Sequence, residues 1–212
     1  MQKIKKNFRL NYYMVENDYF CTVKLTIYMI NPEEVIQLKA FARQDGTFLG
    51  LMWIASFACY IGEFHASMLG MLALILAVVS PFFLAMRLKK FRDKYRDGII
   101  SFRRSLVYCL FSFFYASLLF ALVQYIYFAY IDNGFLVQQY NIMLSTPEAK
   151  QLLNLYKITN EMRDGISAFA QLTPIEKSLN FLTANISIGL ILSFPIAAIM
   201  KSTVGNSNNN QV

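Results

Sequence analysis

Ser105 to Ile131 is a run of 27 residues without a single charge. An α-helix needs about 20 predominantly apolar residues to cross a hydrocarbon core of roughly 30 Å, and this run exceeds that length. Three more apolar runs, at about 47–64, 66–86 and 178–200, approach or match it. The alternation of barrel strands is absent, and in lipid only helices or closed barrels satisfy the backbone. The chain is therefore expected to be all-α, a polytopic membrane protein with four transmembrane helices. Composition agrees, with 56% hydrophobic and 16% charged residues and a mean hydropathy of +0.39. A soluble domain carries about 45–50% and about 25%.

Between the second and third runs lies RLKKFRDKYRDGIISFRR. Its Arg87, Lys89, Lys90, Arg92, Lys94, Arg96, Arg103 and Arg104 stand against only two acids, Asp93 and Asp97. Positive residues beside spans mark the cytoplasmic side, so this stretch is expected to be a cytoplasmic loop. Both termini then lie inside, and the tip at 63–65 and the excursion at 133–177 lie outside. The formal net charge of +7 does not indicate nucleic acid, which requires a basic face on a folded domain. Anionic lipid headgroups are the expected partner of these eight residues.

The remaining segments follow in order. Residues 1–28 form an N-terminal extension without the apolar core of a signal peptide, and Met29 is the expected start of the native chain. Asn31-Pro32-Glu33-Glu34 reads as a helix cap opening a short amphipathic helix to about Arg43. The first run, Thr47–Gly62 in its strictly apolar part, would reach about 24 Å at 1.5 Å per residue. A short connection through Glu63 and His65 makes a hairpin with the second run, which Pro81 is expected to kink. Beyond Asp132, the outer excursion is expected to be helical from Thr146-Pro147-Glu148 to about Asp164, with Gly165 as its C-cap. Thr173-Pro174-Ile175-Glu176 is a capping box opening the last span. Residues 29–204 thus form one membrane domain, and 205–212 a disordered tail.

Few residues offer chemistry. Cys21, Cys59 and Cys109 do not make a disulfide framework, and a single His excludes a multi-His metal site. No metal, cofactor or catalytic set is expected. A nucleotide-binding glycine loop, a His-Glu-x-x-His pattern and a Gly-x-Ser-x-Gly elbow are all missing. Glu63 with His65 could relay a proton or bind a cation, since ionisable groups at spans are functional candidates; a plain polar turn explains them as well. Asn185, Gly189, Ser193 and Ala197 recur every four residues along the last span. Such a stripe permits close helix packing, or a substrate path beside Asn185. Gln124 and Asn180 are expected to bond a neighbouring helix or to meet water.

Phe91-Arg92-Asp93-Lys94, Gly98-Ile99-Ile100-Ser101-Phe102 and Tyr127-Phe128-Ala129-Tyr130-Ile131-Asp132 resemble a family of uncharacterised bacterial inner-membrane proteins. That family is described only as a domain of unknown function with four spans. The similarity covers roughly residues 40–200 and implies fold and location but no mechanism. The expected role is a non-enzymatic structural or assembly component, joined to copies of itself or to another membrane protein. A transporter or channel subunit is the second reading, and an enzyme acting on lipid or peptide the third.

Overall fold

The computed structural model describes residues 32–202, and seven helices make up nearly all of that stretch: α1 (Pro32–Gly62), α2 (Met68–Tyr95), α3 (Phe102–Tyr130), α4 (Phe135–Ser145), α5 (Pro147–Tyr156), α6 (Thr159–Gln171) and α7 (Pro174–Met200). The extension at 1–28, the start at Met29, Cys21, the Asn31 cap and the tail at 205–212 lie outside the described residues. The chain divides at Ala40–Phe41 into two units. The described part of the first is the opening of α1, where Leu38 is buried. The second holds the rest of α1 and the helices α2 to α7.

Four helices, α1 from Val35, α2, α3 and α7, are long and apolar enough to cross a membrane. Their ends differ from the sequence reading in an instructive way. The expected amphipathic helix and the first span are one 31-residue helix, because Arg43, Gln44 and Asp45 interrupt apolarity without breaking the backbone. Likewise α2 runs on to Tyr95, so Arg87 to Lys94 are helical and the connection shrinks to residues 96–101. Asp97 and Gly98 make that turn at φ +47° and +79°. Pro81 and Pro195 are both contained within their helices.

The excursion is three short helices rather than one. Lys157 breaks it with φ +56°, while Gly165, read as a C-cap, sits inside α6. The two Thr caps do form. Thr146 Oγ1 accepts from Ala149 N at 3.3 Å. Thr173 Oγ1 accepts from Glu176 N at 3.4 Å, and Thr173 N donates back to Glu176 Oε2 at 2.8 Å.

Within the second unit, packing rests on small residues. A Cβ on Gly46 would lie 2.6 Å from the Ser112 carbonyl oxygen, and one on Gly50 would lie 3.2 Å from that of Ala116. These contacts bring α1 and α3 together in parallel, as glycines four apart allow. On the other side of α3, a Cβ on Gly189 would meet Phe113 Cβ at 2.7 Å, and Phe128 stacks on Phe181 at 5.9 Å. α7 therefore runs antiparallel to α3. On the outer side of α2, Met68, Met71, Leu74, Val78 and Phe82 are exposed, a surface suited to acyl chains rather than water.

Candidate functional site

The end of the bundle where α2 passes into α3, here the basic end, is tied by a carboxylate. Asp45 on α1 is 2% exposed. A buried carboxylate is costly unless paired and hydrogen-bonded, and its two oxygens are divided between two helices. Arg87 Nε on α2 donates to Oδ1 at 2.6 Å, and the Tyr108 hydroxyl on α3 donates to Oδ2. Phe91 stacks on Tyr108 at 5.3 Å, and the Arg87 guanidinium lies 5.7 Å from the Phe48 ring centroid. Nearby, Arg92 Nη1 donates to the Met200 carbonyl at 3.0 Å, satisfying an orphan acceptor where the α7 dipole is negative. Ile100 and Ser202 exchange backbone bonds of 2.9 and 3.0 Å, fastening the end of α7 to the α2–α3 turn.

At the opposite end the polar groups are set among rings. Asp132, 3% exposed, accepts from the Tyr127 hydroxyl and Leu136 N, each at 3.1 Å, and from Gly134 N at 3.2 Å. The Tyr60 and Tyr140 hydroxyls share a 2.5 Å hydrogen bond linking α1 to α4. Lys177, 9% exposed, places its ammonium 5.1 Å from the Phe169 centroid and 5.6 Å from that of Phe128.

Running inward from this end, between α1, α2, α3 and α7, is a cavity of about 760 Å³. That falls within the roughly 300–1,000 Å³ of ligand sites. Trp53 and Phe57 of α1, Phe120 of α3 and Ile188 and Leu192 of α7 form its apolar walls. Along α2 it extends from the N-cap residue Ser67 to Pro81, about 21 Å at 1.5 Å per residue. It is therefore a slot. Glu63 lies at its mouth, and Asn185 lies along its wall. A Cβ on Gly70 would run into the Glu63 carboxyl, so the glycine seats that group over the first turn of α2. Asn185 Nδ2 is buried and has no hydrogen-bond partner.

The fold thus brings Glu63, in the α1–α2 turn, and Asn185, on α7, to one slot although they are more than a hundred residues apart in sequence. It does not bring His65 there: that ring stacks on Phe135 at 6.1 Å, and no hydrogen bond or ion pair joins it to Glu63. Gly189, Ser193 and Ala197 are buried, with the Ser193 hydroxyl donating to the Gly189 carbonyl at 2.6 Å. Of the eight basic residues, Arg87 and Arg92 are engaged within the protein, while Lys89, Lys90, Lys94 and Arg103 are exposed. Gln124 is 1% exposed, and its Oε1 has no partner.

Sequence reading passed over Asp45, Tyr108 and the Gly46/Gly50 pair. Two signals were available: an acid at the edge of an apolar run, which needs a partner, and the Gly-x-x-x-Gly spacing of helix contacts. Among the described residues no group of three or more His, Cys, Asp or Glu could hold a metal ion.

Searches of the curated proteins and of the solved structures return no match. The model of one family, described as a protein of unknown function (DUF4199), matches residues 44–202. That interval opens one residue before Asp45 and closes at Ser202, so it takes in the carboxylate node, the slot and the Ile100–Ser202 clasp. The chain belongs to the DUF4199 family, and its four long apolar helices fit a four-span protein.

Proposed function

We propose that the chain is a non-enzymatic structural or assembly component of a bacterial inner membrane, with its basic end in the cytoplasm. The observation that carries this reading is how the buried polar groups at the basic end are used. Asp45 accepts from both Arg87 and Tyr108 and so joins three helices, and Arg92 caps a fourth. These groups hold helices in register and present no reactive centre to a substrate. The glycines at 46 and 50 bring the backbones of α1 and α3 into contact, and Gly189 seats the Phe113 side chain against α7, which favours a fixed scaffold over a rocking one. Exposed Lys89, Lys90, Lys94 and Arg103 would meet anionic headgroups, each attracted by about 1 kcal/mol near the surface.

Affinity purification from native membranes in mild detergent, followed by native mass spectrometry, tests this. The expected result is a complex of fixed stoichiometry, with a second copy or with another membrane protein. A lone chain with no associated protein would overturn the reading. So would purified protein that dissipates an ion gradient across liposomes, which would instead make it a transport subunit.

A further inference from the structure

We infer that the slot between α1, α2, α3 and α7 holds one aminophospholipid, with its acyl chain along the apolar walls and its ammonium on Glu63. Shape supports the chain. The slot follows α2 from Ser67 to Pro81, and its walls are Trp53, Phe57, Phe120, Ile188 and Leu192. It opens on the side where α2 exposes Met71 and Leu74, so a lipid can enter sideways from a bilayer.

Charge selects the head. Glu63 is exposed at the slot's mouth, and its carboxylate has no hydrogen bond or ion pair among the described residues, so it can receive an ammonium. Ser67 stands beside it, and its hydroxyl would donate to the lipid phosphate. A headgroup with phosphate alone would meet the Glu63 charge uncompensated.

The level of Asn185 fits the same molecule. It lies between Gly189, which faces Phe113, and Phe181, which stacks on Phe128, and so near Phe120. Phe120 meets Phe57 at 5.7 Å, and Phe57 precedes Glu63 by six residues, about 9 Å along the helix. That is about the distance from a headgroup amine to the glycerol esters. The unpartnered Asn185 Nδ2 would donate to an ester carbonyl, relieving the cost of a buried, unmade hydrogen bond.

The test uses the full chain in nanodiscs containing equal amounts of phosphatidylethanolamine and phosphatidylglycerol, with retained lipid counted by native mass spectrometry after gentle detergent release. One lipid per chain is expected, with the ethanolamine lipid preferred about tenfold, as one charge-assisted hydrogen bond can supply. Glu63→Gln should bring the ratio to about one while leaving the unfolding midpoint in lipid-free detergent unchanged, since Glu63 is exposed. Ala77→Phe, which fills the slot from α2, should lower retention of both lipids. Equal retention by the unmodified chain, a preference that survives Glu63→Gln, or retention indifferent to Ala77→Phe would each overturn the proposal. None of these readouts depends on whether the chain assembles with other proteins.

Discussion

The two ends of the bundle solve one problem by different means. Each must bury polar groups while four apolar helices converge. At the basic end a single carboxylate, Asp45, is satisfied by side chains from two other helices, and Arg92 caps a third. At the opposite end the buried Asp132 is satisfied locally, by Tyr127, Gly134 and Leu136 within five residues of it, and aromatic edges and faces surround Lys177 and the Tyr60–Tyr140 pair. A buried carboxylate whose partners come from distant helices tolerates no slack between them, because losing a partner leaves its charge uncompensated. Rings pack at many angles, and the end they close keeps a slot open beside it. The comparison teaches that stiffness and ligand space are segregated along the bundle axis.

Arg87→Ala should expose this difference most strongly. It leaves Asp45 buried with the Tyr108 hydroxyl alone, and breaking a buried pair in this manner costs about 3–5 kcal/mol. Asp45→Leu should cost less, because the Arg87 side chain is 27% exposed and can turn toward water or headgroups. Unfolding in detergent, followed by helix content, would measure both. Equal losses would mean that Arg87 is as isolated from water as Asp45, which would break the argument for a one-sided node.

The glycine contacts come next. Gly46→Leu should destabilise by about 1–3 kcal/mol, the usual cost of overpacking. Gly189→Leu should fall at the lower end of that range, because its obstacle is the Phe113 side chain whereas Gly46 meets the Ser112 backbone carbonyl. The same unfolding measurement ranks them. A harmless Gly46→Leu would show that α1 and α3 can separate without loss, and the basic end would not be the stiff one.

A smaller effect is expected where rings dominate. Tyr60→Phe removes one hydrogen bond to Tyr140 and should cost about 0.5–1.5 kcal/mol. A loss as large as that from Arg87→Ala would place the two ends on the same footing.

How far these contrasts could be read from sequence depends on the range of the interaction. The four spans were legible because uninterrupted apolarity is a local property, and so were the caps at Thr146 and Thr173, which act within three residues. Helix ends were harder. Arg43 to Asp45 and Arg87 to Lys94 look like loop residues until Asp45 and Arg87 meet, 42 positions apart, and make a polar segment compatible with continued helix. The excursion failed for a related reason. Gly165 resembles a cap, but the chain turns at Lys157, a residue with no intrinsic preference for positive φ. Glu63 and Asn185 could each be singled out as polar groups at spans; that they share a slot could not, because α3 and the excursion separate them in sequence.

The smallest predicted effect has the opposite sign and comes from that misread glycine. Gly165 lies inside α6 with nothing within 4 Å of a built Cβ and no positive φ. A glycine there contributes only backbone freedom to the unfolded chain, so Gly165→Ala should stabilise by about 0.4–1 kcal/mol. Glycine would then be a contact at 46 and 189 and a weakness at 165, within one chain. Hydrogen exchange across α6 is the suitable measurement, since the gain concerns local opening more than global unfolding. Slower exchange in the variant is expected. Faster exchange would mean that α6 presses this face against another surface, and the excursion would join the tightly packed parts of the molecule.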